Sequence, residues 1–373
     1  MTTTSTTPLR IALMIECDGP GGAELMMLHL ATELRSRGHE VLPINLANGT
    51  GWLGAKFEAA GFRPVTFAIR RPIDFGAVRS LTSILRDFRA DVVHSHEFTM
   101  AIYGAAAATR VGARHVITMH GGLYYASAWR RRAALRWAAQ RSDALVGVSL
   151  ATARALDQTL GGGRHRAAVV PNGIPQRSGV RARVRRELSI SPTALLLVAV
   201  GNLYPVKGHA VLLDALAMLG DRAEWRLAIA GRGEEESSLR ARASAAGIAS
   251  RVHLLGFRDD IPDILAAGDI FVMPSLSEGL PLALVEAMSF GLPVVVTRVG
   301  GVPEVVTDGV EALLVPPSDA AALAAALRTL IDDADRRRRM GEAGRARAQR
   351  DYAIGTMADR YERLYRGESL SES

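Results

Sequence analysis

The sequence predicts an α/β protein made of two successive units, each with a parallel β-sheet. Short apolar runs alternate with stretches of helical periodicity, and this alternation stops near residue 175 and then begins again. A chain of 373 residues also exceeds the usual size of one hydrophobic core. Because strands that alternate with helices form parallel sheets covered on both faces, we predict two Rossmann-like domains that face a cleft.

The first half contains apolar runs that predict buried strands and amphipathic stretches that predict helices between them. The strands are residues 11–15, 41–46, 91–94, 114–119 and 144–149, and the helices are 22–37, 52–60, 76–89, 98–111 and 129–141. A last strand ends in the turn residues 171–175. The Arg-rich residues 176–186 then predict a linker between the domains.

The second half repeats the pattern. Its strands are residues 195–200, 226–230, 252–255, 269–273, 293–297 and 312–315, and its helices are 207–219, 234–246, 259–267, 281–290, 302–307 and 318–332. The strand 269–273 is a nearly continuous apolar run, which is typical of a parallel strand buried on both faces.

Charge is distributed unevenly along the chain, whose net charge is +7. Residues 1–180 hold 21 Lys and Arg against 12 Asp and Glu, whereas residues 181–373 hold 24 against 26. The basic residues are scattered without a zinc-ligand cluster or an RNA-binding aromatic motif, so no nucleic-acid partner is expected. A peripheral contact with an anionic membrane, or an anionic acceptor, accounts for the asymmetry. The segment Trp129–Trp137, with its flanking arginines, is the candidate for membrane contact; the alternative is a partly buried helix with an exposed basic face.

Two features predict a cytoplasmic protein, either free or at the inner face of the membrane. The first eight residues form a polar tail without the basic and apolar regions of a signal peptide. Cys17 is the only cysteine, which excludes an internal disulfide and suits a reducing compartment. No apolar run of roughly 18 residues predicts a membrane-spanning helix.

Glu278 and Glu286 lie eight positions apart, after the predicted strand 269–273. Pro281 suits the first turn of a helix and Gly291 suits its end, so the first carboxylate lies in a loop and the second in the second helical turn. Backbone N–H groups at the helix start attract phosphate, and two carboxylates can accept hydrogen bonds from vicinal hydroxyls. These groups suit a nucleotide-sugar. The alternative is one glutamate that caps the helix and another on its exposed face.

Two glycines follow the first strand of the first half, and a lysine follows the first strand of the second half. Gly21 and Gly22 open a helix and would let the backbone approach a ligand closely, although glycine is common in any tight turn. Lys207 follows the first strand of the second half, and its ammonium suits the charge on a leaving diphosphate. The alternative for Lys207 is an exposed lysine at a helix start.

Histidines end two predicted strands of the first half. His120 follows the strand 114–119, at the edge where open α/β sheets bind ligands. The alternative is a histidine satisfied by nearby backbone groups. His94 and His96 also end a strand and are expected to line the cleft, with no Asp or Cys nearby in the sequence to complete a metal site.

Together these motifs resemble those of retaining glycosyltransferases of the GT-B type, in particular family four, which has a Glu-x7-Glu motif and uses nucleotide-sugar donors. The resemblance covers nearly the whole chain after residue 8. It implies a GT-B fold, with two Rossmann-like domains whose parallel sheets face a central cleft. Residues 1–178, with a C-terminal crossover helix in 352–373, would bind the acceptor, and residues 179–351 would bind the donor.

The resemblance implies a role for each motif. The expected catalytic residues are Glu278 on the sugar hydroxyls, Lys207 on the diphosphate and His120 near C6 of the sugar. The expected donor-binding residues are Glu286, Asn202, Gly279, Leu280, Phe257, Arg258, Gly21 and Gly22. Among them, Glu286 would hold the ribose. Asn202 departs from the family, which has an arginine there, because an amide supplies no charge.

The expected activity is transfer of a hexose from a nucleotide-sugar donor to a hydroxyl acceptor in polysaccharide, glycolipid or other glycoconjugate biosynthesis. The acceptor would be a sugar, a lipid-linked sugar or a small molecule. No cofactor and no metal are expected, since the only Asp-x-Asp triplet, Asp333-Ala334-Asp335, lies between helical stretches. Two alternatives stay open: a nucleotide-sugar 2-epimerase, which shares the fold, and a non-catalytic nucleotide-sugar-binding subunit.

Overall fold

The computed structural model describes residues 7–17, 19–47, 49, 51–121, 128–161, 166–220 and 224–370. Residues 1–6 of the predicted polar tail and 371–373 of the predicted C-terminal segment lie outside the described residues. The chain divides into two compact units. Unit 1 comprises Met1–Ile174 and Ile354–Ser373, and unit 2 comprises Pro175–Ala353.

Unit 1 contains a parallel sheet of seven strands within the described residues. Its strands are Arg10–Ile15 (β1), Glu40–Leu46 (β2), Val65–Phe67 (β3), Val92–His96 (β4), Arg114–Met119 (β5), Ala144–Gly147 (β6) and Ala168–Val169 (β7). Their order is β3-β2-β1-β4-β5-β6-β7, and Ile11 of β1 is in register with both Val41 and Val92. All carboxyl ends therefore lie at one edge of the sheet, and the strand order reverses between β1 and β4.

Six helices of unit 1 precede residue 174 in the described part of the chain. They are Gly22–Ser36 (α1), Trp52–Ala59 (α2), Phe75–Phe88 (α3), Glu97–Val111 (α4), Trp129–Ala139 (α5) and Leu150–Leu160 (α6). Leu81 of α3 and Met100 of α4 pack in one apolar cluster with β1 and β4, and Leu135 of α5 and Leu156 of α6 pack in another with β5 and β6. Strand β3, which is only three residues long, and helix α6, which begins directly after the predicted strand 144–149, were not predicted.

Unit 2 contains a second parallel sheet, with six strands among the described residues. Its strands are Leu195–Val200 (β8), Trp225–Ala230 (β9), Val252–Leu254 (β10), Ile270–Met273 (β11), Val294–Thr297 (β12) and Ala312–Val315 (β13). They are ordered β10-β9-β8-β11-β12-β13. The helices are Arg181–Glu187 (α7), His209–Ala217 (α8), Glu236–Ala245 (α9), Ile261–Ala267 (α10), Leu282–Ser289 (α11), Val302–Val305 (α12), Ala320–Asp332 (α13) and Ala334–Asp351 (α14). The prediction of two parallel-sheet α/β units is thus confirmed.

The predicted linker at residues 176–186 is wrong, because most of its arginines belong to α7 and anchor unit 2. Arg185 is buried, and its guanidinium donates to Ala267 O at 3.2 Å, to Ala194 O at 2.7 Å and to Asp269 at 3.0 Å. Arg181, one helical turn earlier, donates to the same carbonyl of Ala267 at 3.1 Å. These arginines satisfy carbonyls at the end of α10, a use of arginine that composition does not distinguish from a polar linker.

The last helix, Ile354–Tyr365 (α15), belongs to unit 1. Its Ile354 N–H donates to Ile174 O at 3.0 Å. Tyr361 and Tyr365 are fully buried. Their hydroxyls lie within hydrogen-bonding distance of the Thr118 hydroxyl on β5 and the His94 ring on β4, respectively.

Candidate functional site

Lys207 and Glu278 form an ion pair at the carboxyl edge of the unit 2 sheet. Lys207 follows β8 in the 3-10 turn Pro205–Lys207, and Glu278 follows β11, the neighbouring strand. Lys207 Nζ lies 2.7 Å from Glu278 Oε1, and Ser275 Oγ donates to the same oxygen at 2.6 Å. The Glu278 side chain is 8% exposed and the Lys207 side chain is 29% exposed. The sequence did not predict this pairing, because 71 positions separate the two residues.

The choice of lysine at position 207 is itself informative. The chain has 45 basic residues, of which only Lys56 and Lys207 are lysines. An ammonium is a compact charge on a flexible stem, whereas a guanidinium is a planar fork that prefers fixed bidentate partners. Lys207 can therefore move between Glu278 and another anion with little rearrangement.

Two glycines hold these loops close together. Gly208 has φ +67°, and a Cβ there would lie 2.1 Å from Pro274 O. Gly300 has φ +51°, and a Cβ there would lie 1.7 Å from Glu278 O. Both positions combine a left-handed backbone with contact against another backbone segment, so only glycine fits without a shift.

Glu286 lies in the second turn of α11, where the sequence placed it. Burial raises the pKa of Glu286 to about 7, and the nearby charge of Arg177 acts in the opposite direction. No hydrogen bond reaches its carboxylate from the described residues. Pro281 caps α11 without a side-chain hydrogen bond. The first N–H groups of the helix therefore remain available to an anion.

The other predicted donor-binding residues of unit 2 follow the carboxyl ends of β8, β10 and β11. Gly279 and Leu280 lie between Glu278 and α11, and Leu280 is buried. Asn202 is half-buried after β8, and Phe257, after β10, is 40% exposed.

Arg258 has partners within the protein. Its guanidinium binds Glu187 at 2.5 Å and Asp260 at 2.7 Å, and these hydrogen bonds raise its pKa. A contact between this side chain and a donor would have to displace two ion pairs. We therefore expect only the backbone of this turn to meet the nucleotide.

Gly21 and Gly22 lie at the start of α1 in unit 1, as predicted from their sequence position. A Cβ at Gly21 would lie 2.3 Å from Glu24 Oε2. The buried Glu24 carboxylate thus occupies the space beside this helix start, where a negative charge is favourable. The Glu24 side chain is flexible and the Gly21 backbone is extended, so this space alone does not require glycine, and the contact of Gly21 with a diphosphate stays a prediction.

His96 and His120 form a hydrogen-bonded pair at the ends of β4 and β5. His96 Nδ1 lies 3.0 Å from His120 Nε2, and the backbone N–H of His120 donates to Glu97 Oε1 at 3.0 Å. Glu97 adopts a left-handed backbone, φ +69°. Burial lowers the pKa of His120 to about 4 and the pKa of His96 well below its usual value, so both rings are neutral at neutral pH.

The tautomers of the two rings are coupled, since only one proton can lie between them. If His96 donates it, His120 carries its own proton on Nδ1; if His120 donates, its Nδ1 becomes an acceptor. His120 Nδ1 and His96 Nε2 are both buried without a hydrogen-bond partner among the described residues. His120 can therefore offer either a donor or an acceptor at Nδ1.

The expectation that His94 lines a cleft is wrong, because α15 covers it. His94 Nδ1 lies 2.7 Å from Tyr365 Oη, and its Nε2 lies 2.8 Å from Thr118 Oγ1. The ring is fully buried, and burial holds its pKa well below the usual value. His94 joins α15 to the sheet of unit 1.

The predicted segment Trp129–Trp137 lies in helix α5. Trp129 is 67% exposed, and the next three residues, all arginines, are also exposed. Trp137 is half-buried and packs against the apolar cluster beneath α5. Trp129, the three arginines that follow it and Arg136 are therefore exposed.

The residues of this chain contain neither a metal-ligand cluster nor a membrane-spanning helix within the described ranges. Among those that the structure describes, no group of three or more His, Cys, Asp and Glu side chains could hold a metal ion. Asp333, from the Asp-x-Asp triplet, caps α14 by accepting from the Arg336 N–H at 2.8 Å. In the same described ranges, no helix has the length and apolarity to span a bilayer.

Two family profiles match the chain. The one described as glycosyl transferases group 1 matches residues 180–347, and the one described as Glycosyltransferase Family 4 matches residues 20–177.

Individual proteins match over most of their length. Alpha-maltose-1-phosphate synthase of Mycolicibacterium smegmatis is 30% identical over 78% of this chain and 84% of that protein. The UDP-Gal:alpha-D-GlcNAc-diphosphoundecaprenol alpha-1,3-galactosyltransferase of Escherichia coli is 28% identical over 70% of this chain and 71% of that protein. The crystal structure of Anabaena HepE in complex with UDP-glucose matches with a TM-score of 0.83 at 25% identity, covering 94% of this chain and 97% of HepE.

Proposed function

The chain belongs to the group 1 glycosyl transferases, and we propose that it is a retaining enzyme that moves a sugar from a nucleotide-sugar donor to a hydroxyl acceptor. Its fold is GT-B and its activity is that of a glycosyltransferase, so both predictions are confirmed. The epimerase and binding-subunit alternatives are not favoured.

The observation that carries the proposal is the group of Lys207, Glu278 and Glu286 next to the uncapped start of α11. Glu286 would accept hydrogen bonds from the ribose hydroxyls. Lys207 and the first N–H groups of α11 would bind the diphosphate, and Glu278 would hold hydroxyls of the transferred sugar. HepE was crystallised with UDP-glucose, which makes a uridine diphosphate sugar the first donor to test.

In the proposed reaction, the bond from the sugar C1 to the diphosphate oxygen breaks, and a bond from C1 to the acceptor oxygen forms on the same face. The acceptor proton passes to the departing diphosphate, so no side chain acts as the base. Negative charge accumulates on the diphosphate as the bond breaks, and Lys207 stabilises it. Without donor, Lys207 forms an ion pair with Glu278. We therefore infer that when the donor binds, Lys207 either contacts both Glu278 and the diphosphate or leaves Glu278 for the diphosphate.

A thermal-shift screen of the full chain against nucleotide-sugars, followed by analysis of the product, tests this function. A donor at 100 times its dissociation constant should stabilise the chain by about 2.7 kcal/mol. With a suitable acceptor, NMR should show the anomeric configuration of the donor in the product. An inverted product would contradict retention, a free epimer would contradict transfer, and the lack of a shift with every nucleotide would contradict the donor site.

Nucleotide binding is expected to strengthen as the pH rises through about 7. Burial raises the pKa of Glu286 to about 7, and only the ionised carboxylate accepts hydrogen bonds from two hydroxyls at full strength.

The free energy of unfolding of the nucleotide-free protein should change with pH in the opposite direction. Because the pKa of Glu286 is higher in the folded than in the unfolded chain, its contribution to stability is complete in acid and is lost as the pH rises through the folded pKa.

Calorimetric titration of UDP on both sides of that pH checks this prediction. The affinity of the wild type should rise with pH, whereas Glu286→Gln should bind weakly with little dependence on pH. Without UDP, the same variant should be the more stable protein in mild alkali. If the UDP affinity of the two proteins changed equally with pH, Glu286 would not be the group that binds the ribose.

We assign His120 a contact with the transferred sugar and His96 the role of a positioning residue that sets the His120 tautomer. His96→Phe keeps a planar ring and removes Nδ1. We expect it to lower kcat by about 10-fold or more, as loss of a correctly placed proton does, with UDP affinity unchanged. The kcat of the double variant His96→Phe/His120→Phe should be no lower than that of the more impaired single variant, because the pair acts as a unit. Multiplicative losses would contradict the coupling.

We propose that no metal ion takes part, because Lys207 and the start of α11 meet the phosphate charge. Activity should survive dialysis against EDTA. Loss of activity on chelation, with recovery on adding manganese or magnesium, would contradict this account of phosphate binding.

The acceptor is proposed to be a sugar hydroxyl carried by a lipid at the cytoplasmic face of a membrane. The Escherichia coli relative has, by its name, an acceptor on diphosphoundecaprenol. Exposed Trp129 and the three arginines that follow it suit peripheral contact with anionic lipid through α5.

A further inference from the structure

The two most exposed large apolar side chains among the described residues lie in one turn of unit 1. Ile73 is 73% exposed and Phe75 is 76% exposed. They lie where the chain leaves β3 and enters α3. Two large apolar side chains so fully exposed and so close together mark a surface that binds something apolar.

This turn is held in shape by Asp74, which lies between the two apolar residues and is buried. Its carboxylate accepts three backbone hydrogen bonds, from Arg70 (3.0 Å), Gly76 (3.0 Å) and Ala77 (3.1 Å). The Asp74 N–H donates to the hydroxyl of Tyr103 at 3.1 Å. Because the aspartate points inwards and fixes the backbone, its two neighbours are held outwards.

Arginines flank the apolar pair on both sides. Arg70 and Arg71 precede it, and Arg79 lies one helical turn after Phe75 on the same face of α3. All three are exposed, and within the described residues none forms an ion pair or a side-chain hydrogen bond, although the charge of Arg71 helps to lower the pKa of Asp74. The only acid between positions 70 and 79 is Asp74, which is already engaged. We call residues 70–79 the apex.

We propose that the apex inserts Ile73 and Phe75 into an anionic bilayer, with its arginines at the level of the lipid phosphates. A protein partner is the weaker occupant, because stable interfaces bury about 800 Å² on each side, more than two side chains on a convex turn supply. A fluid bilayer needs no complementary pocket, and its anionic headgroups match three unpaired arginines.

The apex also lies at the correct edge of the sheet for this purpose. Since all strands of the unit 1 sheet are parallel, the carboxyl end of β3 shares an edge with the ends of β1 and β5, where Gly22 and His120 follow. An apex embedded at this edge would bring a lipid-borne hydroxyl towards it. The inference rests on the proposed lipid-linked acceptor and goes further, by adding an inserting element to the peripheral contact proposed for α5.

Co-sedimentation of the full chain with phosphatidylcholine vesicles, with and without about one-third phosphatidylglycerol, tests the inference. Ile73→Ser/Phe75→Ser should weaken binding to the anionic vesicles by about 30-fold, equivalent to about 2 kcal/mol. Ser in place of Arg70, Arg71 and Arg79 should remove the preference for phosphatidylglycerol. The matched control Met218→Ser/Val310→Ser, which removes exposed apolar side chains from unit 2, should bind as the wild type does.

A Phe75→Trp variant reports insertion directly. Its added emission should shift to the blue on vesicles and be quenched by lipids brominated in the acyl chain. Vesicle binding that the apex substitutions leave unchanged would overturn the inference. Binding that falls only with serine substitutions at Arg130, Arg131 and Arg132 would leave the contact to α5 alone and would also overturn the inference.

Two further measurements separate this inference from its alternatives. If the apex substitutions change the sedimentation coefficient without lipid, the surface joins copies of this chain and the inference is wrong. UDP should stabilise all apex variants as it does the wild type. An apex variant that no longer binds vesicles but is still stabilised by UDP supports insertion through the apex. A wild type that binds vesicles but is not stabilised by UDP contradicts the proposed donor site and leaves the membrane inference intact.

Discussion

Glu286→Ala and Lys207→Ala should each lower donor turnover by about 100- to 1,000-fold, equivalent to about 2.7–4 kcal/mol, while the protein stays folded. Lys207 stabilises charge that forms on the diphosphate only as the sugar leaves, so its loss should reduce kcat more than donor affinity. Glu286 holds the ribose throughout, so its loss should also weaken donor binding. The two variants are therefore distinguished by KM as well as by rate.

The chain offers a matched control for the lysine. Lys56, in α2 of unit 1, is the only other lysine, and Lys56→Ala should leave turnover unchanged. Lys207→Arg should restore little activity, because a guanidinium fork does not replace an ammonium between two anions. Turnover near the wild-type level in both alanine variants would show that the donor site has been assigned to the wrong residues.

Gly300→Ala should disable the donor site by moving Glu278, without altering any side chain that we expect to touch the donor. A Cβ at Gly300 would lie 1.7 Å from Glu278 O, and the left-handed backbone adds strain. Turnover should fall by about 100-fold or more, comparable with loss of a group that acts in the transition state. The measurement is donor turnover together with urea unfolding.

Gly309→Ala is the control for Gly300→Ala. Gly309 also has a left-handed backbone, φ +77°, but a Cβ there would meet nothing within 4 Å. Strain alone should cost roughly 1–2 kcal/mol of unfolding free energy at each position and leave the turnover of Gly309→Ala intact. Equal losses of turnover in both variants would mean that the collision with Glu278 has no functional effect.

Periodicity in the sequence predicted most strands and helices, because each depends on residues close to one another in the chain. The apolar run Ile11–Ile15 indicated a buried parallel strand, which it is, and Pro281 with Gly291 closely bounded α11. The same reasoning misread residues 176–186. An arginine that satisfies carbonyls of α10, some 80 positions away, looks in sequence like an arginine in a linker.

The site was predicted only in part for a related reason. The positions of Glu278 and Glu286 follow from one strand, one loop and one helix. The Lys207–Glu278 ion pair, the Glu24 carboxylate beside Gly21, the partners of Arg258 and the burial of His94 under α15 all depend on how side chains are oriented or on which elements pack together. Hydrogen bonds across 271 positions, such as that of His94 to Tyr365, have no local signal in a single sequence.

A structure of the full chain bound to UDP tests the central claim most directly. We expect the ribose hydroxyls within hydrogen-bonding distance of the Glu286 carboxylate. We also expect diphosphate oxygens at the first N–H groups of α11 and at Lys207 Nζ. Contacts of about 2.7–3.0 Å at these positions would match charge-assisted hydrogen bonds. UDP bound away from α11, or bound there with Glu286 and Lys207 both out of reach, would contradict the account.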